Sequence, residues 1–251
     1  MEPHQAVRRS LGVFLVWLVL ISALITILLL LTGISIWLAI PISIIMSTLM
    51  SVFAYQKMES KIIKKVNANA LNPGSYPQFE NLVEGLCVAH GFRHPNLFVI
   101  SDSAPNMMMV GRNSSLGNLI TTTGLLEKVN RVELEGLITH ELSRTRNRLA
   151  LLDSTTAVFV ARPLFLMPSL SRWLTNRIFA PWAVAETDLQ AVRLTRYPTA
   201  LASALGSLNV DGREPKNNPK FCRHLWINPP PNPLVTSGFN TNERIAALSE
   251  L

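Results

Sequence analysis

The sequence predicts an α+β protein in which an N-terminal pair of membrane helices precedes a mainly helical body with a small β-sheet. Three observations predict it. Apolar residues make up 48% of the 251 residues and charged ones only 16%, against about 25% charged in soluble domains. Two long charge-free runs occupy most of residues 11–54. Beyond them, short strand-like runs are interspersed with stretches of helical apolar spacing. This composition excludes a disordered chain, which would be poor in apolar residues and rich in charge. The two cysteines, Cys87 and Cys222, exclude a disulfide framework and a four-cysteine zinc site.

Residues 11–31 carry no charge, and about 20 apolar residues suffice to span a bilayer core. Residues 34–54 form a second such run, with Thr32 and Gly33 left for a tight turn. Pro41 is tolerated inside a membrane helix. Arg8 and Arg9 ahead of the first run would suit a signal peptide. The run is too long for one, however, lacks a small-residue cleavage site and is followed at once by a second span. The basic residues Arg8, Arg9, Lys57, Lys61, Lys64 and Lys65 flank the hairpin, and its tip has none. Positive residues stay inside, so the expectation is a multi-pass protein of the cell membrane, with N-terminus and main domain cytoplasmic. The net charge of +7 then has a membrane-lipid partner as its explanation. No nucleic-acid module is present, and none is expected as a partner. Reduced cysteines fit a cytoplasmic body.

The hairpin occupies residues 1–55, and residues 56–251 are long enough for one core-bearing domain. Asn72-Pro73-Gly74 breaks the first basic helix. Residues 77–89 read as a helix with Phe79, Leu82, Val83 and Leu86 on one face and Gly91 as its stop. Residues 96–101 and 118–123 read as strands, and 105–110 as loop then strand. A helix over 131–149 presents Leu134, Leu137, Ile138 and Leu142 at helical spacing. Residues 155–170 are apolar but interrupted by Arg162, Pro163 and Pro168, which predicts a re-entrant, interfacial or buried segment rather than a third span. Helices follow over 182–195 and 198–208. Residues 211–233 are loop-rich, with prolines at 229, 230, 231 and 233.

Any chemistry sits on the helix bearing Thr139-His140-Glu141-Leu142-Ser143-Arg144. In H-E-x-x-H, two histidines four apart share a helix face and hold zinc while the glutamate activates its water. Here His140 and Glu141 stand in place, but Arg144 occupies the second histidine's position. A lone H-E pair is by itself weak. Other metal pairs are weaker still: His90 and His94 straddle a helix end, and Cys222-x-His224 lies in a loop. Ser143 has the wrong spacing from His140 for a nucleophile–base pair, and there is no G-x-S-x-G or phosphate loop. Met107, Met108 and Met109 read as a buried strand or as the lining of an apolar groove.

The surroundings of His140 carry more. Three blocks match in order and spacing: Ser103-Ala104-Pro105-Asn106-Met107; Thr122-Thr123-Gly124-Leu125-Leu126; and Glu133 to Ser143 followed by Arg146-Asn147-Arg148. Asp188, Ala191, residues 198–205 and Glu243-Arg244-Ile245 continue the match. The chain resembles the HtpX-like membrane zinc metallopeptidases, relatives of the CAAX prenyl proteases. The resemblance implies a zincin-like (gluzincin) domain and paired N-terminal membrane helices. It implies His140 as a metal ligand and Glu141 as general base, with Asp188 and Arg244 in the same site. Pro105, Asn106, Met107 and Met108 would open an edge strand that pairs with an extended substrate.

The departures bear on activity. Arg144 replaces the second histidine, Val184 stands where the family's third ligand is a glutamate, and Gly238-Phe239 align with a C-terminal His-Pro. One histidine cannot hold catalytic zinc, which takes three protein ligands and a water, and arginine offers no lone pair. Arg144 is expected instead as a stand-in for the metal, its charge offsetting Glu141, Asp188 or both; the alternative turns it outward with Arg146 and Arg148. Three classes follow. The first is a pseudoprotease that binds protein clients, or a membrane protease or quality-control partner, with no cofactor. The second is an active zinc endopeptidase with an atypical ligand set, and the third a structural subunit of a membrane complex.

Overall fold

A computed structural model describes residues 3–112, 117–179, 182–232, 234 and 240–251. The two apolar runs form helices α1 (Pro3–Leu31) and α2 (Ile36–Gln56), both long and apolar enough to cross a membrane. Gly33 joins them at φ +85°, a left-handed conformation that glycine adopts without a Cβ penalty. Ala39, Ser43, Ser47 and Ser51 make a buried stripe along α2. Small residues at this spacing let membrane helices approach closely. Thr26 donates to Ser43 Oγ at 2.7 Å, and the Ser22 and Ser43 hydroxyls lie 3.3 Å apart. The remaining faces are exposed and apolar, as lipid-facing surfaces are. At about 1.5 Å per residue, α1's 29 residues exceed a ~30 Å hydrocarbon core. Its N-terminal end packs against other helices, with Ala6 against Leu149, Leu152 and Ala183.

The chain continues through α3 (Met58–Lys65), β1 (Asn69–Ala70), α4 (Pro77–His90), β2 (Asn96–Ile100), β3 (Met107–Gly111), β4 (Gly117–Thr122), α5 (Thr123–Lys128) and α6 (Arg131–Arg146). Helix α7 (Leu149–Thr156) runs into a π-helical turn, Ala157–Ala161. Then come α8 (Pro168–Ile178), α9 (Ala183–Thr195), α10 (Pro198–Asp211), a 3-10 turn (Lys220–Leu225) and α11 (Thr241–Ser249). The fold is thus α+β and mainly helical. The sheet is mixed, ordered β1-β2-β4-β3, with β2 and β4 parallel and the other pairs antiparallel. Strand side chains alternate between faces. Met107, Met109 and Leu119 join the core built on α4, α6 and α10. Met108, Val110 and Ile120 join a second core with α3, α7 and the π-helical turn.

Two local devices place the central helix. Asn130 caps α6 in a capping box with Glu133, satisfying backbone donors at its first turn. Gly136 then lets α10 come close: a Cβ there would lie 3.4 Å from the Leu201 backbone nitrogen. Helix α6 is buried continuously from Gly136 to Arg144, so it has no solvated face along that stretch.

The predicted helix over 131–149 is two helices. Arg148 at φ +59° breaks it, and α7 departs in a new direction. The segment 155–170 also divides. It is buried through Ala161, and then Phe165, Leu166 and Met167 turn outward at 60%, 77% and 55% exposure.

Candidate functional site

Five elements converge on His140. Helix α6 presents His140, Glu141 and Arg144, which share one side because they stand three and four residues apart. Helix α9 supplies Asp188, α7 supplies Asp153, α11 supplies Arg244, and the 3-10 turn ends here at Leu225. A second capping box, Asn240 with Glu243, fixes the first turn of α11 and sends Arg244 inward. His140, Glu141, Arg144, Asp188 and Arg244 are all buried.

Two guanidinium groups organise the site. Arg144 Nη1 lies 3.1 and 3.0 Å from the two Glu141 carboxylate oxygens and donates to Leu225 O at 3.0 Å. Its Nη2 bonds Asp153. Arg244 grips Asp188 through Nε and Nη2, both at 2.8 Å, and donates to Ile227 O at 2.7 Å. Such bidentate pairs are the strongest charge-assisted bonds available to a carboxylate. His140 bridges the two pairs. Its Nδ1 is 3.2 Å from Glu141 Oε1 and its Nε2 is 3.2 Å from Asp188 Oδ1. Burial pushes the Glu141 carboxyl up, but Arg144 and His140 outweigh this and hold it below the usual carboxylate value. Burial likewise disfavours charge on Arg144, and Glu141 and Asp153 more than offset it. Arg144 thus points into the buried site and not onto an outward basic face. Asp188, a partner anticipated for it, is taken up by Arg244, which reaches it from α11.

These groups do not fit a three-ligand zinc centre. Both nitrogens of the one imidazole already lie against carboxylates, and a fixed cation occupies the face where the second histidine would project. Metal affinity needs deprotonated lone-pair donors, and Arg144 has none. Val184 stands one helical turn before Asp188 on α9 and is apolar. Gly238-Phe239 lie outside the described residues. The weaker candidates are dispersed. His90 ends α4 against the Phe92 ring and His94 is exposed. Cys222 sits in an apolar cluster, and His224 Nε2 is 3.0 Å from Asp153 O. Ser143 Oγ bonds back to Thr139 O at 2.8 Å.

The edge of the sheet holds a finding that sequence reading missed. Strand β3 is the edge strand, but its edge is not open and Met107 and Met108 form no exposed lip of a groove. All five of its residues are buried. The segment Leu225–Asn228 runs antiparallel beside it, with Trp226 opposite Met108 and the Ile227 amide donating to Met107 O at 2.8 Å. Asn106, just before the strand and beside buried Pro105, clasps Asn228. Its Nδ2 donates to Asn228 O at 2.8 Å, and its Oδ1 accepts from the Asn228 amide at 3.3 Å. Asp153 was also missed. Its one sequence signal is a lone carboxylate in the apolar run 149–161, where a buried charge requires a partner.

The site is thus a buried H-E helix packed against a mixed sheet, with the edge strand β3 beside it. No family model matches the sequence. Curated relatives do. A protein named Protease HtpX homolog from Dictyoglomus thermophilum is 28% identical over 237 residues, covering 82% of this chain and 78% of its own. One of the same name from Desulfatibacillum aliphaticivorans is 27% identical over 246 residues, 82% and 79% of the two chains. Another, from Thermoanaerobacter pseudethanolicus, is 34% identical over 119 residues, 47% and 40%. Over most of its length the chain is thus similar to proteins named as HtpX homologues.

Proposed function

We propose that this protein is a membrane-anchored, non-catalytic member of the HtpX-like family, a pseudoprotease that holds protein segments or a membrane protease partner in quality control without cutting. The observation that carries the reading is Arg144: its guanidinium bonds Glu141 and Asp153 where a relative would place a metal-binding imidazole. The glutamate that would activate water is thereby neutralised by a fixed cation, and a dication beside that cation would be repelled. Residues 1–55 anchor the chain as a twice-spanning hairpin in the cell membrane, and residues 56–251 form the cytoplasmic domain, as the distribution of basic residues supports.

The test uses the purified full-length protein. Zinc content by elemental analysis should be far below one per chain, and casein should stay intact. Chelator-sensitive cleavage that vanishes with Glu141→Gln would overturn the reading in favour of a zinc endopeptidase with an atypical ligand set.

A further inference from the structure

We propose that Leu225–Asn228 is a resident occupant of a peptide-binding edge, and that Arg144 and Arg244 are the residues that read an occupant's backbone. The proposal rests on the reading above, in which this site holds protein segments without cutting them. Peptide recognition by strand addition uses backbone hydrogen bonds to a sheet edge for affinity and pockets for alternate side chains for specificity. The resident segment makes both kinds of contact. It lies antiparallel to β3 through the Ile227 amide and Met107 O. Its Trp226 side chain is 2% exposed and packs in the core with Met108 and Val110.

The two arginines add side-chain donors to this backbone pairing. Arg144 donates to Leu225 O and Arg244 to Ile227 O, at 3.0 and 2.7 Å. These carbonyls are two residues apart, so both leave the same edge of an extended strand. Each guanidinium is fixed by a carboxylate: Arg144 by Glu141 and Asp153, Arg244 by Asp188. The charges beside His140 therefore build a rigid pair of donors aimed at one strand. The Asn106–Asn228 clasp closes the end of that strand. The ligand class follows from the occupant: an extended peptide with a bulky aromatic side chain between two aliphatic ones.

Replacing Met108 and Trp226 by cysteine in the full-length protein makes a reversible lock. Residues directly opposite in an antiparallel pair have Cα atoms about 4.5–5.5 Å apart, within disulfide range. The probe is a labelled peptide of residues 223–229 (RHLWINP), and thermal melting verifies that every form is folded. The reduced Met108→Cys/Trp226→Cys protein should bind the probe at least about ten-fold tighter than its oxidised form. The variant Asn106→Ala/Asn228→Ala, which loosens the clasp and leaves the core intact, should bind it more tightly than the unsubstituted protein. Adding Arg144→Leu to either should weaken capture again. Folded proteins that bind equally well oxidised and reduced, or that never bind the probe, would overturn the proposal and make Leu225–Asn228 a permanent strand of the sheet. Zinc content and casein cleavage on the same preparations report on the non-catalytic reading separately.

Discussion

Arg144 Nη1 lies 3.0 Å from Glu141 Oε2, and the same guanidinium bonds Asp153 across the break between α6 and α7. A buried cation thus joins two carboxylates that would otherwise face each other unpaired. Replacing Arg144 by alanine should cost about 3–5 kcal/mol, the magnitude for breaking a buried pair and stranding its partner. Arg146→Ala, at an exposed position over the Phe92 ring, should cost less than about 1 kcal/mol. Denaturant unfolding of the detergent-solubilised protein measures both.

Restoring the family's ligand pattern should restore metal. Arg144→His with Val184→Glu places two histidines and a glutamate at the matched positions. This double variant should bind zinc in near-stoichiometric amount by elemental analysis, and Arg144→His alone should not, because two protein ligands are too few. Proteolysis need not follow, since the groups that orient ligands were selected around an arginine. A double variant without zinc would count against the matched ligand positions.

The site's neighbour His224 sets a pH dependence. Burial holds its ring below the ordinary value, only partly countered by Asp153, and Arg144 pushes the same way as burial. Between the folded value and about 6.5, the unfolded chain carries a proton that the folded chain does not. Stability from this group is therefore complete above about pH 6.5 and is lost as pH falls through the folded value. Replacing His224 by Phe, which keeps a ring beside Phe179, should flatten the stability profile on the acid side of about pH 6.5. An unchanged slope would refute the assignment.

Two glycines should respond oppositely to alanine. A Cβ at Gly124 would sit 2.1 Å from the Ser103 backbone oxygen, so Gly124→Ala should cost about 3 kcal/mol or more, the upper range for overpacking. At Gly206, inside α10, nothing lies within 4 Å, and alanine should stabilise by up to about 1 kcal/mol through helix propensity. Thermal melts of the two variants should shift in opposite directions.

The membrane arrangement gives a labelling prediction. A cysteine at Gly33 should react with an impermeant reagent from outside, and one at Lys64 should not. The Phe159 ring meets Phe14 and Trp17 at 5.6 and 5.9 Å, so the turn beyond it lies level with the apolar part of α1. Arg9 donates to Ile178 O at 2.7 Å, tying the end of α8 to the basic end of α1. Exposed Phe165, Leu166 and Met167 should therefore face lipid. An environment-sensitive dye on a cysteine at Leu166 should be quenched by spin-labelled lipid, whereas one at Val210 should be quenched by aqueous iodide.

By itself the sequence determined the two long apolar helices, because charge-free length is a local property that is compared directly with the bilayer's thickness. It also determined that Arg144 lies beside His140 and Glu141, since helical periodicity alone makes neighbours of residues three and four apart. The helix stop at Gly91 was equally legible, and that residue is left-handed at φ +66°. Asp188 and Arg244 were reached through their match to a family pattern rather than through any local signal. Only the tertiary structure decided the partners. Asp153 meets Arg144 because Arg148 breaks the helix and swings α7 back, a consequence of one positive φ that no apolar period announces. Leu225–Asn228 lies on β3 across more than a hundred residues of chain, in a stretch whose prolines and short length read as loop. Its strand character comes entirely from the edge it pairs with. A sheet edge takes whichever backbone is brought to it, and long-range packing brought this chain's own.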